Sequence, residues 1–320
     1  MIKVLADALV PIFAGLLLGY IAGLRRIMDN QNVHNLIVFV MSFAVPCSLF
    51  LAIARTPRAA LREQAGTMLV LTIAYSVLYG LSFFWARSGE KLRASDSGVL
   101  ALTLSFPNIA AIGLPLLADV FGVKSLVTVA TSIALGSVTI SVVTLAFLEA
   151  DRDGAPDSFP LEAFSIRQVG PSLVRAVKKP IVWAPLLGFV FSCAALHSPS
   201  YLDRFLTVLA SAAAGSALVL TGLVVSAQKF VLGAKTLIPV LLKNALQPAL
   251  ALGLAILFHL SIEQTRYVTV ICAIPCGFFG LVFGKAFGST PQLASSGLIA
   301  SYIVSVATLP VWIVIVNHLG

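Results

Sequence analysis

The sequence predicts an all-α integral membrane protein with ten transmembrane helices arranged as two inverted repeats of five. Three observations support this fold class. Of the 320 residues, 59% are hydrophobic and only 11% are charged, and the mean hydropathy is +1.00, unlike the composition of soluble domains. Apolar segments long enough to cross a hydrocarbon core of roughly 30 Å recur along the whole chain. A single long polar link divides these segments into two sets of five.

Charged and turn-rich residues separate the ten predicted spans. The spans are expected near residues 4–24, 33–54, 65–87, 96–121 and 124–148, and then near 180–197, 201–226, 235–258, 265–287 and 292–316. The first repeat therefore covers residues 1–148, the polar link residues 149–179, and the second repeat residues 180–320. Because no A-x-A-like cleavage site closes the first 24 residues, they are interpreted as the first span and not as a secretory signal.

The distribution of basic residues predicts the orientation in the membrane. Cytoplasmic loops are enriched in Lys and Arg. The links after spans 1, 3, 5, 7 and 9 all lie on one side of the membrane, and that side holds 14 of the 21 Lys and Arg residues. Both termini are therefore predicted outside the cytoplasm, and the polar link inside it. The net charge of +8 is explained by this topology, so no nucleic-acid partner is expected.

The two halves of the chain resemble each other weakly and in the same order. PIFAGLLLGY at 11–20 aligns without a gap with PIVWAPLLGF at 180–189, and Pro107 falls on Pro275 at nearly the same offset. VVTLAFL at 142–148 likewise matches VATLPVW at 306–312. Since five is an odd number of spans, a duplicated half enters the membrane from the opposite side. The result is the inverted repeat of many secondary transporters.

Prolines interrupt the fourth and ninth spans at corresponding positions. A proline inside a helix removes a backbone donor and costs about 3 kcal/mol, and lipid tolerates the freed backbone only where it is buried or lines a watery cavity. Pro107 and Pro275 each lie about 11 residues into their spans, close to the bilayer midplane. One proline kink is common in membrane helices, but two that the repeat relates predict a central binding site.

The residues beside the breaks suggest an anionic ligand. The start of a second half-helix has unpaired N–H groups and carries roughly half a positive charge. Asn108 is placed to cap that half-helix or to bind a ligand carboxylate, and Gly113 permits close approach of backbone. In the second break, Cys276 and Gly277 follow the proline. Phe278 and its neighbour Phe279 are expected to form an apolar wall.

Other polar residues within the spans leave alternatives open. Lys243 either snorkels to the cytoplasmic face or takes part in a functional or structural ion pair. Ser105, Asn244 and Gln247 are expected to bond neighbouring helices. No Asp or Glu lies in the middle of a span, which argues against a buried carboxylate as proton carrier or sodium ligand. Coupling to protons or sodium stays open.

The sequence also argues against metal, cofactor and enzyme chemistry. The four cysteines match neither zinc nor C-x-x-C redox spacing, and the four histidines lie near predicted span ends. No metal site and no cofactor are predicted. An intramembrane enzyme would need an acid pair, a Ser-His arrangement or a metal cluster within the spans, and the spans offer none of these. A membrane enzyme is therefore the least favoured function.

Several motifs make the chain resemble the auxin efflux carrier family. The most specific is FPNIAAIGLPLLADVFG in the fourth span, and the others are KNALQPALALG in the eighth, AIPCGFFGLVFGKAFG in the ninth and LIVFVMSFAVPCSLF in the second. The resemblance implies a scaffold of spans 1, 2, 6 and 7 and a transport part of spans 3–5 and 8–10. It also implies that the broken fourth and ninth spans cross at Pro107 and Pro275, with the substrate carboxylate near Asn108, and that the protein assembles as a homodimer through its scaffold.

Two departures from the wider family refine this expectation. The polar link of about 30 residues is much shorter than the loop of many plant auxin carriers. It favours the short-loop bacterial branch, which includes carriers for malonate and related carboxylates, and a location in the bacterial inner membrane. Distant bile-acid sodium symporters carry a Glu beside the second break, where this chain has Cys276 and Gly277. A sodium site of that kind is therefore not expected.

The resulting hypothesis is a secondary transporter that moves a small organic anion by alternating access. A channel or a substrate sensor on a carrier fold is the alternative. The anion is expected to be a carboxylate, either a malonate-like dicarboxylate or an auxin-like monocarboxylate. The predicted substrate-binding residues are Asn108, Pro107, Ser105, Gly113, Pro275, Cys276, Gly277, Phe278 and Lys243.

Overall fold

A computed structural model describes residues 2–152, 174, 178–196, 198–227 and 233–319. The regular elements in these ranges are helices, which confirms the all-helical class. Six helical stretches within them are long and apolar enough to cross a membrane: His34–Ala54, Ala65–Ser88, Leu126–Arg152, Ser200–Ser226, Lys235–Leu257 and Gln292–Asn317. Most of the polar link predicted over residues 149–179 lies outside the described residues.

Apart from the short helix Arg58–Glu63, which lies between two predicted segments, the helices coincide with the predicted apolar segments to within about four residues. The first half contains α1 (Ile2–Leu24), α2 (His34–Phe39), α3 (Val45–Ala54), α4 (Arg58–Glu63), α5 (Ala65–Ser88), α6 (Ala94–Ser105), α7 (Leu114–Phe121), α8 (Leu126–Val138) and α9 (Ile140–Arg152). The second half contains α10 (Pro180–Cys193), α11 (Ser200–Ser211), α12 (Ala213–Ser226), α13 (Ala234–Leu241), α14 (Gln247–Leu257), α15 (Ile262–Ala273), α16 (Phe279–Ala286) and α17 (Gln292–Asn317).

Three widened π-helical turns occur in the described part of the chain, and each lies just before a proline. They are Val40–Ala44 before Pro46, Ile109–Gly113 before Pro115, and Leu242–Leu246 before Pro248. A proline lacks the N–H of the regular ladder and its ring clashes with the carbonyl four residues back. A widened turn relieves this clash without ending the helix. Such turns are frequent at functional sites, and two of them border the site described below.

Helices from the two halves pack closely at one side of the molecule. α1 runs along α12, and α3 packs against α10 and α11. Glycines allow α1 and α12 to approach: a Cβ added at Gly19 would lie 2.1 Å from the Val219 carbonyl oxygen, and one at Gly222 would lie 2.1 Å from that of Leu16. Small residues at such contacts are typical of membrane helix pairs.

Gly222→Ala is expected to lower the melting temperature of the purified protein, because the new methyl group must separate α1 from α12. Overpacking of this kind typically costs about 1–3 kcal/mol. The measurement is a thermal melt in detergent. Gly215→Ala, in the same helix, is the matched control, since a Cβ at that position meets nothing within 4 Å. Equal losses for the two variants would contradict the close packing of α1 on α12.

Ion pairs join the two helix ends that flank the polar link. Glu149 near the end of α9 is almost fully buried, and its carboxylate lies 3.1 Å from the ammonium of Lys179 and 3.3 Å from the guanidinium of Arg152. The Lys179 ammonium also lies 5.3 Å from the ring centroid of Phe287. A buried carboxylate needs such partners, so this cluster holds the start of α10 against α9 and the end of α16.

Candidate functional site

Two interrupted helices meet in the core of the molecule. α6 ends at Ser105, and Phe106 is extended before the chain turns at Pro107. α15 ends at Ala273, and Ile274 is extended before Pro275. We call the two non-helical segments, residues 106–108 and 274–277, the junction. Both segments are buried, so their backbone groups depend on protein partners.

Backbone hydrogen bonds join the two segments of the junction. Pro107 and Cys276 form an isolated antiparallel bridge. The Asn108 N–H donates to the Pro275 carbonyl at 3.0 Å, and the Gly277 N–H donates to the Thr103 carbonyl at 3.2 Å. These bonds satisfy groups that the two prolines exclude from regular helix, as lipid requires of buried backbone.

A glycine allows the two segments to approach this closely. A Cβ on Gly277 would lie 2.2 Å from the Phe106 carbonyl oxygen, far inside van der Waals contact. The next helical turn repeats the pattern, because a Cβ on Gly280 would lie 2.4 Å from the Val99 carbonyl oxygen. Gly277, just before α16, and Gly280, within it, therefore face the end and the last turns of α6 directly.

Asn108 is the polar side chain of the first break, and it is only 2% exposed. Its Nδ2 donates to the hydroxyl of Tyr302 at 2.6 Å, while its Oδ1 has no hydrogen-bond partner among the described residues. An unpaired buried polar atom typically costs about 1–3 kcal/mol. A half-turn of the amide would place its oxygen on the Tyr302 hydroxyl and leave the NH₂ group unpaired. In either orientation, Asn108 retains one group for a ligand.

The corresponding position of the second break is already satisfied by protein groups. The Cys276 N–H donates to the hydroxyl of Ser301 at 3.2 Å, and that hydroxyl donates to Asn244 Oδ1 at 2.7 Å. Asn244 Nδ2 in turn donates to the Ser301 carbonyl at 3.0 Å. The second break is thus fastened to α17 and to the π-helical turn before α14. Among the described residues, the Cys276 position therefore has no unpaired side-chain amide group like that of Asn108.

Lys243 is fully buried beside the ends of α6 and α15. Its ammonium donates to Gln247 Oε1 and, at 2.9 Å, to the Cys272 carbonyl. Gln247 Nε2 in turn donates a hydrogen bond to the Ser105 carbonyl at 2.6 Å. Lys243 therefore does not snorkel, and that alternative of the sequence interpretation is wrong. The two groups that accept its hydrogen bonds are neutral.

Aromatic rings fill the space behind the junction. Phe278 stacks on Phe279 with ring centroids 4.6 Å apart, and Phe279 stacks on Phe106 at 5.2 Å. Gly136 of α8 makes room for this stack, since a Cβ there would lie 2.4 Å from the Phe106 ring. Phe278 is only 2% exposed, so in this structure it belongs to a packed aromatic stack.

A cavity of about 280 Å³ lies between α1, α12 and α17. Its lining is mostly apolar, and it contains Phe13, Leu16, Tyr20, Val225, Leu298, Ile299 and Tyr302 among others. The ring of Tyr302 packs edge-on against Phe13 at 5.7 Å, and its hydroxyl bonds Asn108. Tyr302 therefore connects the cavity to the first break.

The predicted substrate-binding residues lie in the junction, beside it or at the end of α6. Pro107, Asn108, Pro275, Cys276 and Gly277 form the junction itself. Gly113 contacts Ile274 across it, since an added Cβ would lie 3.4 Å from that side chain. The Ser105 hydroxyl bonds the carbonyl one turn back, at Ala101, so only the Ser105 carbonyl takes part in the contacts of Lys243. Tyr302 and Ser301 were missed, because no sequence pattern marks them within an apolar span.

Comparison with known proteins places the chain among membrane transporters. A family model described as membrane transport protein matches residues 4–313. "Uncharacterized transporter YfdV" of Escherichia coli strain K12 is 27% identical, over 95% of each chain. "Auxin efflux carrier component 8" of Arabidopsis thaliana is 23% identical, over 94% of each chain. "Lysosomal cholesterol signaling protein" of Mus musculus is also 23% identical, over 94% of this chain and 36% of that protein.

These matches extend over nearly the whole chain, including both interrupted helices and the eighth predicted span. The apolar helices and the polar groups buried at the junction are typical of an integral membrane protein with a binding site inside the membrane. The chain belongs to the membrane transport protein family, the auxin efflux carrier family that its sequence motifs resemble.

Proposed function

We propose that the protein is a secondary carrier that moves a small organic anion across the membrane by alternating access. The observation that carries this proposal is the unpaired amide group of Asn108 at the first break. Asn108 lies where a new half-helix starts, and the N-terminal end of a helix attracts a negative charge. A ligand carboxylate would meet both the amide and the positive helix end.

The proposed architecture is ten spans in two inverted repeats, with a scaffold of spans 1, 2, 6 and 7 and a transport part formed by the other spans. Two packing contacts support the grouping. α1 packs along α12, in spans 1 and 7, and α3 packs against α10, in spans 2 and 6. We also infer a homodimer that contacts through the scaffold, a location in the bacterial inner membrane and both termini outside the cytoplasm. Alternating access would move the junction against the scaffold.

The cavity favours a carboxylate that has an apolar body. Its volume of about 280 Å³ suits a small molecule, and apart from tyrosine hydroxyls its lining offers mainly apolar side chains. A monocarboxylate can place its charged group toward Asn108 and its apolar part against Phe13 and Leu298. A short dicarboxylate such as malonate would have to place its second charge against these apolar groups.

The decisive experiment is counterflow into proteoliposomes. The purified protein is reconstituted, the proteoliposomes are loaded with an excess of unlabelled carboxylate, and uptake of labelled malonate, indole-3-acetate and a neutral amide analogue is followed. A carrier accumulates the label transiently because the outward flux drives inward exchange. Protein-free liposomes are the control. Absence of counterflow for the whole carboxylate panel would contradict the proposal.

A channel or a substrate sensor is the alternative function. Mass flow through a channel dissipates the gradient without transient accumulation of label, and a sensor binds the ligand without appreciable flux. The same assay therefore separates the three activities. The signalling function in the name of the mouse relative belongs to a protein of which this chain covers 36%, and no described residue favours a signalling role.

Tyr302→Phe is expected to weaken substrate affinity by about 2- to 10-fold, because a neutral hydrogen bond contributes about 0.5–1.5 kcal/mol. The variant keeps the ring that packs on Phe13 and removes the hydroxyl that orients Asn108. Affinity is measured by the concentration dependence of counterflow. Tyr79→Phe is the matched control, since Tyr79 is buried and its hydroxyl lies 2.9 Å from that of Thr144, away from the junction. Unchanged affinity for Tyr302→Phe would show that Tyr302 does not position Asn108.

A further inference from the structure

Two helices end side by side at the junction. α6 and α15 each have 12 residues, and their last carbonyl groups point toward the same buried region. The C-terminal end of a helix carries roughly half a negative charge. Two such ends together amount to about one negative charge, far from water. In broken membrane helices of transporters, such ends are where a coupling cation is held.

Lys243 supplies a cation at this place. Its ammonium lies 2.9 Å from the carbonyl of Cys272, in the last turn of α15, and reaches the final carbonyl of α6 through Gln247. The π-helical turn Leu242–Leu246 carries the lysine, and α14 begins at Gln247 itself. A single positive charge therefore offsets both helix ends.

We propose that Lys243 is a tethered cation that occupies the place of a dissociable alkali cation, so the carrier works without a sodium gradient. Because the lysine is covalently attached, it cannot leave the site during the transport cycle. Sodium then supplies none of the driving force, which comes from another source such as the gradient of the substrate anion or exchange for a second anion. The transport part of this inference rests on the proposed carrier function, whereas the cation site itself does not.

The location of Lys243 at the two helix C-termini also separates its ammonium from the proposed binding position of the substrate carboxylate. Its ammonium is engaged by carbonyl and amide oxygens at the negative helix ends, whereas the unpaired group of Asn108 lies where a new half-helix starts. The anion is thus left to Asn108 and the positive helix end. This assignment revises the sequence prediction that Lys243 binds substrate.

A thermal test asks whether the site holds a cation, and it requires no known substrate. Lys243→Ala is expected to melt about 10 °C below the wild type, since two buried helix ends lose their compensating charge. The alanine also vacates the space of the ammonium, so methylammonium or sodium chloride should recover part of the loss relative to choline chloride. The wild type should melt at the same temperature in sodium and in choline.

Two further variants distinguish charge from hydrogen bonding. Lys243→Gln retains a donor but no charge, and it is expected to melt well below the wild type. Lys235→Ala is the matched control for loss of one lysine: Lys235 is exposed and pairs with Glu90 at 2.5 Å, so no small cation should rescue it selectively. Wild-type stability in the glutamine variant, or equal effects of methylammonium and choline on the alanine variant, would overturn the tethered cation.

The transport arm uses whichever labelled carboxylate the wild type exchanges. Its counterflow is expected to be equal in sodium and in choline, and an imposed sodium gradient should drive no uptake. Sodium-driven uptake by the wild type would overturn the inference. If no carboxylate is exchanged at all, the proposed function fails, while the thermal comparison still decides the cation site.

Discussion

Gly277→Ala is expected to disrupt the junction and to destabilise the protein severely. The added Cβ would lie 2.2 Å from the Phe106 carbonyl oxygen and 3.3 Å from the Pro107 carbonyl carbon. These are backbone atoms, so no side-chain rotation relieves the contact. The two segments must separate by about 1 Å, which breaks the bonds from Asn108 N–H to Pro275 and from Gly277 N–H to Thr103.

The expected cost is about 3–5 kcal/mol, because buried backbone groups lose their partners as well as their packing. We expect little monodisperse protein after detergent extraction, and no counterflow. Size-exclusion chromatography of the fluorescently tagged protein measures the yield of monodisperse protein, and uptake into proteoliposomes measures counterflow. Gly80→Ala in α5 is the matched control, since its Cβ meets nothing within 4 Å and alanine favours a helix. A Gly277→Ala protein with wild-type yield and melting temperature would refute the close contact.

The helices were predictable from the sequence because hydropathy and proline act locally. A span of about 20 apolar residues is recognisable without knowledge of its neighbours, and Pro107 and Pro275 mark the two interruptions directly. The π-helical turns before Pro46, Pro115 and Pro248 were not predicted, since a proline can be accommodated by a kink, a break or a widened turn. Which of these occurs depends on the packing around it.

The partners of the site residues were not predictable, because they come from distant parts of the chain. Tyr302 is 194 residues from Asn108 and lies in an apolar span without any motif. For Lys243, the sequence left snorkelling and an ion pair open, and the structure shows neither, because the buried ammonium donates to the neutral Cys272 carbonyl and Gln247 amide. The role of Asn108 in binding substrate stays a prediction, and one pair of variants tests it.

Asn108→Ala is expected to weaken substrate affinity by about 10- to 150-fold while leaving the melting temperature close to that of the wild type. A hydrogen bond to a charged group contributes about 1.5–3 kcal/mol, and each 1.4 kcal/mol is a factor of ten in affinity. Stability should change little because two effects oppose each other. The variant loses the bond to Tyr302, but it also removes a buried oxygen that has no hydrogen-bond partner among the described residues.

Asn244→Ala supplies the matched comparison. Asn244 is as buried as Asn108, but its side chain is fully engaged, with donated bonds to Ser301 and Thr308 and an accepted bond from Ser301. Removing it strands buried partners, so we expect a lower melting temperature as the first effect. Equilibrium binding of the labelled carboxylate and thermal melts are measured for both variants.

The contrast between the two asparagines decides the assignment. If Asn108 is a ligand residue, its loss appears in affinity and the loss of Asn244 appears in stability. Asn108→Asp sharpens the test, because it keeps the shape of the side chain and puts a negative charge where a carboxylate is expected to bind, so affinity should fall further than for alanine. A lower melting temperature with unchanged affinity in Asn108→Ala would instead make Asn108 a structural tie between the junction and α17, and the anion would have to bind elsewhere.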